Sequence, residues 1–241
     1  MNHSATLQKN RSVTLGKIFF LSGFLISSLF AEDVTIIQDR FKITAERKEY
    51  TSIDGTKTEV GDATWSSSPS SDVGVIISGK EGVTVGDVES AGASLPIPER
   101  GIICLEADIK PMGSDWTGIG FGGDHWDDKF HTPMAGGQIF VTARSSGDYN
   151  ILGGVKPDAP KLAEGRIETL RTNQATHFEM ILDQEANKLT VKINGHIVLD
   201  NIDLGEKSVR LRIKRAGIHF NAPATARKPN VDNFKITITK P

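Results

Sequence analysis

A single cysteine, Cys104, stands in the whole chain, so no intramolecular disulfide can form. None lies at the end of the N-terminal apolar stretch, which excludes a lipoprotein anchor there. Helical signals are nearly absent. Twenty-four Gly and ten Pro punctuate the chain at short intervals, with apolar alternation between them. Past the N-terminal stretch, no apolar run reaches the roughly 20 residues that a membrane helix needs. No repeat of fixed period occurs. Neither sign of charge is in large excess, with 28 Lys and Arg against 30 Asp and Glu, a formal −2. This mild acidity argues against nucleic acid or an anionic membrane as the main partner.

The N-terminus has its own pattern. Lys9, Arg11 and Lys17 precede an apolar stretch of 13 residues, Ile18 to Phe30, with no acidic residue among the first 31. Ser28 and Ala31 then supply small residues, followed by Glu32 and Asp33. This is the order of a secretory signal peptide, whose apolar core spans roughly 7–15 residues. Cleavage is expected after Ala31, although Leu29 stands where a small residue is usual. Taking the three leader cations from 28 leaves 25 against 30, so residues 32–241 are more acidic than the whole. They are expected to form one domain, soluble in the periplasm or outside the cell, with no membrane anchor after cleavage.

The clearest structural signal runs from Thr176 to Asp200. Phe178, Met180 and Leu182 alternate with polar residues, as do Leu189, Val191 and Ile193. That period of two marks half-buried antiparallel strands. Asn194-Gly195 closes a two-residue hairpin, because both turn positions need positive φ. Further strands are read at Val34–Thr44, Val73–Ser78, Ile102–Ile109, Thr117–Phe121, Gln138–Ala143, Tyr149–Gly153, Val209–Ile213, Ala216–Phe220 and Val231–Thr239, the last alternating throughout. Ser66 to Ser71 reads as a loop, and Leu162–Arg171 holds a helical turn. Many short strands with turn residues between them specify an all-β, antiparallel two-sheet jelly-roll sandwich.

Three stretches carry a resemblance to a known group: Leu105 to Gly122, the hairpin run His177 to Asp200, and Val231 to Thr237. Together they resemble the concanavalin A-like lectin/glucanase superfamily, in its laminin G-like form. The resemblance implies two curved sheets packed face to face, and members that bind or cleave glycans or bind proteins. Fold analogy alone does not assign a function.

Several residues are candidates for chemistry. Glu106 and Asp108 are two apart in a strand and therefore share a face, and a glycosidase uses two flanking carboxylates. Family 16 glucanases of this superfamily carry Glu-x-Asp-x-x-Glu, but Pro111 stands here at the general-acid position. Hydrolysis by that motif is not expected. The two carboxylates are instead read as the solvent side of a strand whose core face is Ile103, Leu105, Ala107 and Ile109. The loop from Gly122 to His131 gathers Asp124, His125, Asp127, Asp128 and His131 around Trp126. Asp124, Asp127 and Asp128 are candidate Ca²⁺ ligands, since oxygen-rich loops suit that ion. Trp126 offers an aromatic face for a pyranose ring. Trp116 is read as core and Trp65 as a loop-edge residue.

The remaining features have plainer readings. Arg210, Arg212 and Lys214 alternate on one strand face, solvated or able to attract an anionic glycan. His177, His196 and His219 are read as structural, and Cys104, between apolar neighbours, as a buried inert thiol. The glycines at 118, 120, 122 and 123 lack the helix start and Lys-Ser/Thr ending of a phosphate loop, and are read as allowing close sheet packing. The reading favoured is an exported non-catalytic sandwich that binds carbohydrate or another extracellular polymer, with Ca²⁺ as an optional ligand. Its rivals are a glycan hydrolase or lyase on the concave sheet, and a structural or protein-binding envelope module.

Overall fold

Apolar alternation builds two antiparallel sheets. The computed structural model of the chain describes residues 32–68, 72–78, 82–113, 116–123, 138–153, 160–207, 209, 213–222 and 228–239. The leader expected over residues 1–31 lies outside them. In chain order the strands are β1 (Asp33–Asp39), β2 (Ser66–Ser68), β3 (Val75–Ile77), β4 (Val83–Val85), β5 (Ser90–Pro96), β6 (Ile102–Lys110), β7 (Trp116–Gly122), β8 (Gln138–Ala143), β9 (Asp148–Leu152), β10 (Lys161–Arg166), β11 (Thr176–Asp183), β12 (Lys188–Ile193), β13 (His196–Asp203), β14 (Arg215–Asn221) and β15 (Asn230–Thr239). One helical turn, α1 (Glu168–Arg171), precedes β11.

The eight-stranded sheet runs β13-β12-β11-β6-β15-β4-β3, with β1 alongside β15. The seven-stranded sheet runs β10-β9-β8-β7-β14-β5-β2. The result is the all-β jelly-roll sandwich expected from the sequence. Among the described residues, no helix is long and apolar enough to cross a membrane.

In the eight-stranded sheet, register carries the core from strand to strand. Ile103, Leu105, Ala107 and Ile109 of β6 are fully buried. Phe178 lies opposite Ala107, Met180 opposite Leu105 and Leu182 opposite Ile103. On the other side, Ile236 of β15 also faces Leu105. The intervening residues, Cys104, Glu106 and Asp108, therefore share the outer face. Cys104 is half-buried there rather than enclosed in the core as its apolar neighbours suggested. Burial and the nearby Glu106 carboxylate push its thiol up to about 12, which keeps it protonated and inert at neutral pH.

The seven-stranded sheet is buried on both faces through β7, β8 and β14. A Cβ on Gly118 would lie 2.4 Å from the Val141 carbonyl oxygen, and one on Gly120 would lie 2.2 Å from that of Ile139. Glycine is therefore required by the close approach of β7 and β8, as the sequence suggested.

Several boundaries differ from the sequence reading. The first strand ends at Asp39, not Thr44, because Phe41 adopts φ +52 and leaves the extended region. Ser66–Ser68 pairs with β5 as an edge strand instead of forming part of a loop. The helical turn expected within Leu162–Arg171 is α1 at its end, and the first half of the stretch belongs to strand β10. Asn194 and Gly195 take φ +49 and +78, the hairpin geometry expected of them. The alternation of β15 is broken between Asp232 and Lys235, where the register against β6 shifts.

Trp65 is 1% exposed and belongs to the core, not to a loop edge. Its place follows from Asp39, which ends β1 pointing inward and is completely buried. Arg47 clamps that carboxylate with Nη1 and Nη2 at 2.6 and 2.7 Å. Trp65 Nε1 donates to it at 2.7 Å and the Phe41 backbone N–H at 2.8 Å. Arg47 Nη2 also donates to the Lys57 carbonyl. The indole packs edge-on against Phe234 of β15, with ring centroids 5.0 Å apart. A buried charge pair is tolerated only when its hydrogen bonds are satisfied in this way. Asp39→Ala leaves the Arg47 guanidinium buried without its partner. A loss of about 3–5 kcal/mol is expected in urea unfolding, and a loss below about 1 kcal/mol would contradict this role.

Candidate functional site

The outer face of β6 carries a cluster of ionisable side chains: Glu106 and Asp108, with His177 and Lys235 from its two neighbouring strands. Alternation points Glu106 and Asp108 away from the core, and antiparallel pairing brings His177 of β11 directly opposite Asp108. The bulge in β15 supplies the rest. Asp232 lies opposite Asp108, but the next matched pair is Lys235 with Glu106, so β15 fits one extra residue against Ala107. Asn233 takes up that residue at φ +52, a conformation asparagine accepts more readily than most. Phe234 then returns to the core, while Asn233 and Lys235 face the carboxylates.

The group is closely bonded. His177 Nδ1 lies 2.8 Å from Asp108 Oδ1, and Nε2 lies 3.6 Å from Glu106 Oε2. Asn233 Nδ2 donates to Asp108 Oδ2 at 2.7 Å, and Lys235 Nζ donates to Glu106 Oε1 at 2.9 Å. His177, at ion-pair rather than close hydrogen-bond distance, and Lys235 hold Glu106 down to about 2 against the opposing effect of burial. His177 first, and Asn233 with it, hold Asp108 below the usual carboxylate range. In return, Asp108 and then Glu106 raise His177 to about 9. At neutral pH Glu106 and Asp108 are therefore both ionised, with the His177 imidazolium between them. Neither carboxyl is protonated as the general acid of a glycosidase must be, and Pro111 supplies no donor.

These side chains form the floor of an open depression of about 830 Å³. Gln38, Arg40 and Lys42 stand along it from the N-terminal segment, with Ile43 exposed at its edge and Ser78 on a further side. The segment is held in place by the Asp39 clamp, two residues before Phe41.

The other sequence candidates fall elsewhere. Asp124, His125, Trp126, Asp127, Asp128 and His131 lie outside the described residues, in the connection from β7 to β8. So do Arg210 and Arg212, while Lys214 immediately precedes β14. Trp116 is half-buried on the seven-stranded sheet rather than in the core, and stacks on His219 at 4.6 Å. Among the described residues, no group of three or more His, Cys, Asp or Glu is arranged to hold a metal ion. His177, read from sequence as structural, is the central member of the polar group. Nothing local to it signalled this, because its partner lies 69 residues away.

No protein-family model and no curated protein matches the sequence. Solved structures do match the fold. An endo-1,3-β-glucanase from Streptomyces sioyaensis superposes with a TM-score of 0.57 at 10% identity, over 87% of this chain and 97% of that one. A protein of galectin-like fold from Bacillus subtilis gives 0.56 at 13% identity, over 88% and 100%. A legume lectin-like domain from Entamoeba histolytica gives 0.53 at 12%, over 73% and 90%. At these identities the likeness establishes architecture alone: the sandwich is a concanavalin A-like jelly roll.

The sign of the pH dependence follows from the shifts. His177, raised from 6.5 to about 9, contributes stability that is complete below pH 6.5 and lost as pH rises through 9. Glu106, lowered from 4.5 to about 2, contributes stability present above pH 4.5 and lost as pH falls through 2. The alkaline decline is expected to disappear in His177→Asn, and the His177 ring is expected to titrate near 9 in NMR spectra. A ring titrating near its ordinary 6.5 would contradict the bridged arrangement.

Proposed function

We propose that this chain is an exported, non-catalytic sandwich of laminin G-like form that binds carbohydrate or a similar extracellular polymer. On this reading residues 1–31 are a cleaved signal peptide, and the mature protein acts in the periplasm or outside the cell. The observation that carries the proposal is the floor of the 830 Å³ depression, where Asp108, Asn233, Glu106, His177 and Lys235 are fixed by one another. Planar acceptors and donors held rigidly in this way suit hydroxyl-rich ligands, because little side-chain entropy remains to be lost on binding. The ionised state of Glu106 and Asp108, the pair that matches the first two positions of the glucanase strand motif, favours binding over hydrolysis.

The fold neighbours are consistent with this reading without assigning it. Their names include a glucanase and a legume lectin-like domain. Trp126, with Asp124, Asp127 and Asp128 as candidate Ca²⁺ ligands, is a second place for sugar contact, argued from sequence alone.

A broad glycan array, probed with and without EDTA, tests the proposal. Saturable binding to at least one glycan is expected, reduced about tenfold or more by Asp108→Ala, on the scale of a lost charged hydrogen bond. Loss caused by Trp126→Ala and not by Asp108→Ala would move the site to the β7–β8 connection, and sensitivity to EDTA would place a metal in it. No binding to any glycan by the folded protein would overturn the proposal and leave a structural or protein-binding module.

A further inference from the structure

A second depression, of about 1040 Å³, opens beside the first, and Ser78 lines both. Its walls come from Glu49 and Tyr50, from β3 and β4, from Lys110 at the end of β6 and from Met112 just beyond it. Lys110 is two residues along the same outer face from Asp108, so the two depressions follow one strand. The two depressions are therefore neighbours on the β6 side of the sheet, meeting at Ser78.

Backbone strain is concentrated around the two depressions. Nine described residues other than glycine have positive φ, and six of them are Asn or Asp, which tolerate it cheaply. The other three are Phe41, Tyr50 and Met112. All three line the depressions, Phe41 the first and Tyr50 and Met112 the second. Phe41 recovers its cost by burying its ring against Trp65. Tyr50 recovers little, because it is 64% exposed. Its φ is +61, and its backbone N–H is tied to the Ile77 carbonyl at 2.9 Å, so the aromatic ring is presented to solvent from a fixed support. Strained positions of this kind cluster at binding and catalytic sites.

Charge narrows the ligand. Counting His177, the described residues lining the two depressions include six cations and six carboxylates, three carboxylates in each. Such balance neither attracts nor repels a uniformly charged polymer. Exposed aromatic and aliphatic surface at Tyr50 and Val73 adds a face suited to the C–H side of a sugar ring.

We infer that the two depressions are consecutive subsites of one cleft that takes an internal stretch of an uncharged hexopyranose chain, with Tyr50 as the stacking platform of the second subsite. This inference rests on the carbohydrate reading and specifies its ligand. A chain engages both subsites, whereas a disaccharide fills only the one over Asp108.

Calorimetric titration with cello-, laminari- and manno-oligosaccharides of two and six units tests it. In at least one series the six-unit sugar is expected to bind about tenfold or more tighter than the two-unit sugar. Tyr50→Ala is expected to abolish that gain and leave disaccharide affinity unchanged, and Tyr50→Phe to retain it. Asp108→Asn weakens both lengths. Equal affinity for two and six units, or a gain that survives in a folded Tyr50→Ala protein, would overturn the extended cleft while leaving carbohydrate binding standing. Tighter binding of a uronate or sulfated hexamer would overturn the uncharged class. Absence of binding at either length in all three series would overturn this inference, and the carbohydrate reading falls with it only if the glycan array is also blank.

Discussion

One buried carboxylate organises this sandwich. Asp39 ends β1 pointing into the core, where an ionised group survives only if each oxygen is satisfied. Arg47, Trp65 and the Phe41 amide meet that need. In doing so they fold residues 40–65 back against the sheet. Trp65 precedes β2 of the seven-stranded sheet and packs on Phe234 of the eight-stranded one, so the clamp also joins the two layers. Phe234 immediately follows Asn233, whose amide holds Asp108. A continuous series of contacts thus links the clamp to the floor of the depression. The same clamp places Arg40 and Lys42 at its edge.

The polar floor holds Glu106, Asp108 and His177 in their charged forms at neutral pH. Glu106 and Asp108 have the His177 imidazolium between them and the Lys235 ammonium beside Glu106. Each pairing lowers the proton affinity of the acids and raises that of the base. The outcome is a group that keeps a constant charge state across the neutral range. A fixed pattern of donors and acceptors is what recognition needs, whereas acid catalysis needs one carboxyl held protonated. The β15 bulge makes the pattern possible, since a regular strand would turn either Asn233 or Phe234 to the wrong face.

Much of the fold was legible in short-range pattern. The alternation in β6, β11 and β12 fixed their inward faces, and Asn194-Gly195 fixed the hairpin between β12 and β13. Less legible was anything set by partners distant in sequence. His177 and Asp108 each stood on a readable outer face, but the register that makes them neighbours is written in neither segment. The bulge left a trace: Val231 and Phe234 are three apart where alternation demands two, and the stretch still passed as a regular strand. Trp65 looked like a loop residue because serines follow it, while its burial depends on Asp39, 26 residues earlier. Tyr50 carried no signal, since its importance lies in a backbone angle and in exposure. Sequence-based attention to the Asp-rich loop around Trp126 rested on composition, which marks candidates without placing them.

The most direct test is to map where a sugar touches the protein. In NMR spectra of labelled protein titrated with a neutral hexasaccharide that binds, the account predicts shifts concentrated at the Asn233 side-chain amide, the His177 ring and the amides around Tyr50. Shifts centred instead on Trp116 and His219, on the opposite sheet, would contradict it.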